Sequence, residues 1–256
     1  MITKVELDKL VQKYETIDFI NDDPIQFPYK AKKSGLNGVE LYGFITSLFA
    51  YGNRKMFIKK LNDAFVKTGD DLVGFIKCGD FSAFRGFEYR FSKEDDIIAI
   101  FEVLSKLYNE SKGLEELFEY SWNQANQQVF TSEKEKIFLQ IVVDYFYSNV
   151  SRRVNQGFYH MIPNPQNGGA MKRMNMFLRW MVRKGPVDLC VWKFIEPKDL
   201  LIPLDVHVAR VSRDMGILER KSNDFKAVLE LTSKLREFCI DDPIKYDFAM
   251  FGFGVQ

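Results

Sequence analysis

An all-α fold is what this sequence predicts, on three observations. Apolar residues recur at spacings of three and four through most of the chain, and no alternating run of six or more residues stands out. Breakers are scarce, with 16 Gly and 8 Pro in 256 residues, while 24 Phe, 11 Tyr and 3 Trp supply bulky core material. The elements follow in order. Leu41, Phe44, Ile45, Leu48 and Phe49 mark a buried helix that ends near residue 51, with Gly52 in the terminating turn. A second helix starts near Asn53 and carries Met56, Leu61 and Phe65. Ser92-Lys93-Glu94-Asp95 reads as an N-cap with an acidic first turn, opening a helix through Ile97, Ile98, Phe101, Leu104 and Leu107. Thr131-Ser132-Glu133 does the same for a helix through Ile141, Val142, Tyr145 and Phe146. After the turn Pro163-Asn164-Pro165-Gln166-Asn167-Gly168-Gly169 comes a helix whose Met171, Met174, Leu178, Met181 and Val182 share one face. Asp205, two residues after Pro203, is placed to cap a helix bearing Val208, Val211 and Met215.

Composition narrows the function before any motif does. A chain this long folds as one large domain or two lobes, and its 36 basic and 35 acidic residues fit a globular protein. Cys78, Cys190 and Cys239 lie far apart, which excludes a Cys-rich zinc or iron–sulfur site and a disulfide framework, and predicts a reducing cytoplasm. Cys190 and Trp192 read as packing residues. His160 and His207 are too few for most His-based metal sites, so enzyme chemistry falls to carboxylates, lysines and backbone groups. The amphipathic start MITKVELDKLVQKYE and the lack of any run of 18 apolar residues predict a protein neither exported nor membrane-spanning.

Charge is uneven along the chain. Residues 1–150 carry a balance of −4 and residues 151–256 a balance of +5. From Tyr145 to Val187 there is no acidic residue, while Arg152, Arg153, Lys172, Arg173, Arg179, Arg183 and Lys184 give +7. A solvated helical face would mix signs, whereas an acid-free basic stretch suits phosphate binding. Gly168 and Gly169 would bring backbone amides at the next helix start close to a DNA phosphate, with Lys172, Arg173 and Arg179 projecting nearby.

The string Pro203-Leu204-Asp205-Val206-His207-Val208 resembles the Pro-Val-Asp-x-His/Arg-Val segment of the helix-hairpin-helix DNA glycosylase superfamily. In that family a lysine just after the hairpin and this aspartate form the active site, and Lys172 and Asp205 occupy the matching places, 33 positions apart. That separation is similar to the archaeal type of 8-oxoguanine DNA glycosylase/AP lyase. The usual Leu-Pro-Gly-Val-Gly hairpin reads Ile-Pro-Asn-Pro-Gln-Asn-Gly-Gly here. Gly43 to Arg54 resembles the early helix and turn from which a residue fills the gap left by a flipped nucleotide. The resemblance makes Tyr51 that plug, with Asn53 or Arg54 near the opposite base. Lys245 to Gly252 is similar to the helix that reads the damaged base, which implies a hydrogen bond from the base edge to Asp247 and stacking on Phe251. His207 could touch a phosphate or cover its helix start.

The resemblance implies a two-lobed all-α fold with the active site in the cleft between lobes. One lobe would span 40–183 and end in the hairpin and lysine helix; the other would join 1–39 to 184–256. It implies a base-excision-repair glycosylase with AP lyase activity, removing 8-oxoguanine through a Lys172 Schiff base, with Asp205 steadying charge on the sugar. Its partner would be double-stranded DNA containing a damaged base, bound by a monomer, near the nucleoid in a bacterium. No cofactor is required, although the hairpin could hold a monovalent cation. Two rivals stay open: a non-catalytic helix-hairpin-helix DNA-binding protein, and a glycosylase for an alkylated or deaminated base.

Overall fold

A computed structural model describes residues 2–110, 112–128 and 134–254. Among them there is no β-strand, and the helices are α1 (Lys4–Tyr14), α2 (Phe19–Asp22), α3 (Gln26–Lys30), α4 (Gly35–Phe49), α5 (Arg54–Thr68), α6 (Leu72–Cys78), α7 (Glu94–Asn109), α8 (Leu114–Gln127), α9 (Lys134–Ser148), α10 (Gln156–Met161), α11 (Lys172–Val182), α12 (Val206–Asp214), α13 (Phe225–Phe238) and α14 (Tyr246–Gly254). The all-α expectation holds. Thr131, Ser132 and Glu133, read as a cap, lie outside the described residues.

The chain forms two compact units, Phe27–Asn164 and Met1–Gln26 with Pro165–Gln256. These bounds differ from 40–183 and its complement. Helix α11, expected to close the first lobe, falls in the same unit as Asp205 and Asp247, to which it is tied by the part-exposed Lys172–Asp205 pair and the buried Arg179–Asp247 pair.

In the unit Phe27–Asn164 the central element is α4, whose Leu41, Phe44, Ile45, Leu48 and Phe49 are all buried as their spacing predicts. Glu40 is buried on the same helix, at 1% exposure. Its carboxylate accepts hydrogen bonds from Tyr108 Oη (2.9 Å) and from the Leu114 and Glu115 amides (3.1 and 3.2 Å). A buried negative charge is thereby matched to the positive end of α8 and fixes α8 against α4. Helix α4 stops at Ala50, and Gly52 follows at φ 85°. The start of α5 is capped by Asn53, whose Oδ1 accepts from the Met56 amide at 3.3 Å. The α7 cap is Lys93 rather than Ser92: the Lys93 amide donates to Asp96 Oδ2 at 2.9 Å, while Ser92 is buried one residue earlier.

In the other unit α14 packs against α1 and α12. The buried face of α11 is wider than the predicted stripe, with every residue from Met174 to Val182 buried. Phe177 meets Trp192 edge-on with centroids 5.2 Å apart, and Trp192 is fully buried, as a packing residue should be.

Candidate functional site

The geometry around Lys172 begins with backbone strain. Met171, the residue before α11, sits at φ 51°, a left-handed conformation that costs a non-glycine residue about 1–2 kcal/mol. Its side chain is buried, so packing holds the strained turn. Lys172 is therefore the first residue of α11, and its side chain keeps 30% exposure.

Asp205 uses its two oxygens differently. Oδ1 accepts from the His207 and Val208 amides, both at 2.9 Å, and caps α12. Oδ2 lies 3.8 Å from Lys172 Nζ. One carboxylate thus caps α12 with one oxygen and stands within ion-pair distance of Lys172 with the other. A third group couples to this pair. Burial pushes the Asp247 carboxyl up to about 6; Arg179 and Lys172 pull it down, while Asp205 and Asp188 push the same way as burial.

Beneath the pair is a layer of buried charge. Arg179 Nε donates to Asp188 Oδ1 at 3.2 Å, and its Nη1 donates to Asp247 Oδ2. Arg183 Nε donates to Asp242 at 2.9 Å, its Nη1 to Asp188 Oδ2 at 2.9 Å, and its Nη2 to Glu15 Oε2 at 3.1 Å. The Arg179 and Arg183 guanidiniums lie 4.4 and 5.4 Å from the Phe248 ring centre. This layer corrects the reading of the acid-free stretch. Arg179 does not project toward a phosphate; it and Arg183 are buried and neutralised by acids from outside the stretch. Arg152 likewise pairs with Asp95 (3.0 Å) and Glu102 (2.5 Å). Sequence reasoning missed the layer, although Arg179 and Arg183 stand four apart, flanking Met181 and Val182 on a helix already read as apolar, and that placement was the available signal.

The other residues singled out in sequence divide by unit. Gly168, at φ 77°, donates its amide to Pro165 O at 3.0 Å and accepts from the Phe225 amide at 2.8 Å. Gly169 bridges to Asp224, and a Cβ there would meet nothing within 4 Å. Arg173, half-buried, follows Lys172 in the first turn of α11. His207 is exposed, and its ring meets the half-buried Phe251 edge-on at 6.5 Å; Phe251 also meets Phe19 at 6.1 Å. Lys172, Asp205, His207, Asp247 and Phe251 therefore share one unit. Asp247, expected to present its carboxylate to a base edge, has Oδ2 on Arg179.

Tyr51, Asn53 and Arg54 belong to the other unit. Tyr51 is no loose plug. Its hydroxyl donates to Tyr89 O at 2.9 Å and meets Ser92 Oγ at 3.2 Å, while its carbonyl accepts from Tyr89 Oη at 2.6 Å. Asn53 is engaged as the α5 cap, and Arg54, half-buried, is the first residue of α5.

Among the described residues no group of three or more His, Cys, Asp or Glu could hold a metal ion, and no helix is long and apolar enough to cross a membrane. A family model described as a protein of unknown function (DUF2400) matches residues 23–256. No curated protein and no solved structure matches the chain.

Proposed function

We propose, for a chain that belongs to the DUF2400 family of unknown function, that it is a DNA glycosylase with AP lyase activity acting on oxidised guanine. The observation that carries this reading is the Lys172–Asp205 pair. An amine with 30% exposure stands at a helix start, 3.8 Å from a carboxylate oxygen that the cap of α12 leaves over. The resemblance of the Pro203–Val208 segment to the helix-hairpin-helix glycosylases supplies the reaction class.

Lys172 Nζ adds to the sugar C1′ as the glycosidic bond breaks. The departing base takes the bonding electron pair and a proton. Asp205 Oδ2 orients the amine and opposes the positive charge that develops on the sugar ring. The Nζ lone pair then expels the ring oxygen O4′, which takes up a proton, and leaves an imine at C1′; the imine acidifies the C2′–H bond, and loss of that proton with departure of the 3′ phosphate is the β-elimination that cuts the strand. The target base must first leave the duplex, at a cost of roughly a few kcal/mol. Asp205 is held in its rotamer by two amides, and the helix that carries Lys172 is anchored by the Arg179 and Arg183 ion pairs. The chemistry needs no metal or organic cofactor, and a DNA substrate would put the protein in the cytoplasm, with the nucleoid if the organism is a bacterium.

Borohydride should trap the protein covalently on a duplex containing 8-oxoguanine, and Lys172→Gln should abolish trapping. Trapping by the variant at the wild-type level would overturn the assignment. Base release from a panel of oxidised, alkylated and deaminated duplexes identifies the lesion.

A further inference from the structure

The tip Tyr89–Ser92 is built as a tight turn. The Tyr89 amide donates to Ser92 O and the Ser92 amide to Tyr89 O, both at 2.9 Å. Between them Arg90 takes φ 53°, a conformation an arginine adopts only at a cost. The strain presents two side chains. Phe91 is 57% exposed, and its ring lies parallel to Tyr51, at 8° and 6.5 Å between centroids. His160 meets both rings edge-on, at 4.6 Å from Tyr51 and 5.2 Å from Phe91. The Arg90 guanidinium stands 5.8 Å from the Tyr51 ring centre and 5.4 Å from that of Phe91. It also lies against Gly52, whose φ of 85° favours glycine there.

Two features separate this cluster from core packing. Its outer ring faces solvent, and its backing ring, Tyr51, is anchored by two hydrogen bonds of its hydroxyl. The charge is also one-sided. Among the described residues no carboxylate pairs with Arg90, and the flanking acids are occupied, Glu88 by Lys93 Nζ at 2.6 Å and Glu94 by the Gly86 amide. An exposed, rigidly backed aromatic face beside a guanidinium without an acidic partner matches a ligand with a flat π-system and an adjacent anion. A nucleotide has both.

We propose that the Tyr89–Ser92 tip is a stacking platform for one unpaired nucleobase of a DNA strand. Phe91 provides the face, Arg90 meets the neighbouring phosphate, and Tyr51 and His160 serve as backing rings. The proposal shares with the preceding reading its partner, DNA, but not the lysine chemistry.

Fluorescence anisotropy of a short dye-labelled single-stranded oligodeoxynucleotide with the full chain tests it. Phe91→Ala and Phe91→Leu should each weaken binding by roughly 5- to 100-fold, because stacking on one base is lost in both. Phe91→Trp should bind at least as well as wild type. Arg90→Gln should flatten the slope of log affinity against log salt by about 0.7, the share of one phosphate on a single strand. Wild-type affinity in Phe91→Leu, or no binding of the single strand by the wild type, would overturn the proposal. Failure of the wild type to be trapped by borohydride, with the Phe91 effect intact, removes only the glycosylase reading, and trapping with no Phe91 effect removes only the platform.

Discussion

Replacing Asp205 separates its two duties, because they fall on different oxygens. Oδ1 caps α12 through two amides at 2.9 Å, and Oδ2 faces Lys172 at 3.8 Å. Asparagine keeps an oxygen for the cap and loses the charge. Alanine loses both. An N-cap contributes about 1 kcal/mol, within a range of roughly 0.5–2. The half-exposed ion pair adds about 0–1 kcal/mol. Asp205→Ala should therefore lower stability by about 1–2 kcal/mol, or Tm by roughly 2–8 °C for a chain of this size. Asp205→Asn should stay within about 0.5 kcal/mol, because asparagine is an equally good cap. Activity should divide the other way. If Oδ2 opposes charge in the transition state, both variants should lose about 10²–10³-fold in single-turnover base release. Thermal unfolding and release from an 8-oxoguanine duplex, measured on the same samples, make the comparison. Release by Asp205→Asn within a few-fold of wild type would reduce Asp205 to a cap, and the catalytic argument would fail.

Three further outcomes follow from the same geometry. Arg183→Met leaves Glu15, Asp188 and Asp242 without their shared partner and should cost about 3–5 kcal/mol in denaturant unfolding; a loss below about 1 kcal/mol would mean that the buried layer is not formed. Gly168→Ala should cost about 1–2 kcal/mol because of its φ of 77°, whereas Gly169→Ala, with open space and no positive φ, should be near neutral, and equal costs at both would contradict the turn geometry. Asp247 has its folded pKa raised to about 6 from 3.8, so the folded state binds the extra proton and its contribution to stability grows as pH falls from about 6 toward 4. Asp224, held down to about 2 chiefly by Arg220, acts oppositely and loses its contribution below about 4. Asp247→Asn should remove the rise between pH 6 and 4 in a stability–pH series, and an unchanged rise would assign it to another group.

The parts of the fold visible in sequence are those set by local rules. Spacing located the buried face of α4, and a proline two residues before an aspartate located the α12 cap. The two residues proposed for catalysis proved to lie in one unit within 3.8 Å of each other, 33 positions apart in sequence. What sequence could not show depends on partners from afar. The acid-free stretch looked like a phosphate footprint because its counter-charges, Glu15, Asp188, Asp242 and Asp247, lie outside it. The hydroxyl partners that anchor Tyr51, Tyr89 and Ser92, follow about 40 residues later and leave no local mark beside it. Phe91 carried no periodic signal, since its exposure arises from a two-residue tip with Arg90 at positive φ. The α7 cap fell one residue late because Asp96 reaches back to the Lys93 amide.

The central claim is that Lys172 is a nucleophile paired with Asp205. Mass-spectrometric mapping of the borohydride-trapped adduct on an 8-oxoguanine duplex tests it most directly. The account predicts a single modified peptide carrying the sugar remnant on Lys172, absent from Lys172→Gln. An adduct on another lysine, or no adduct at all, would contradict it.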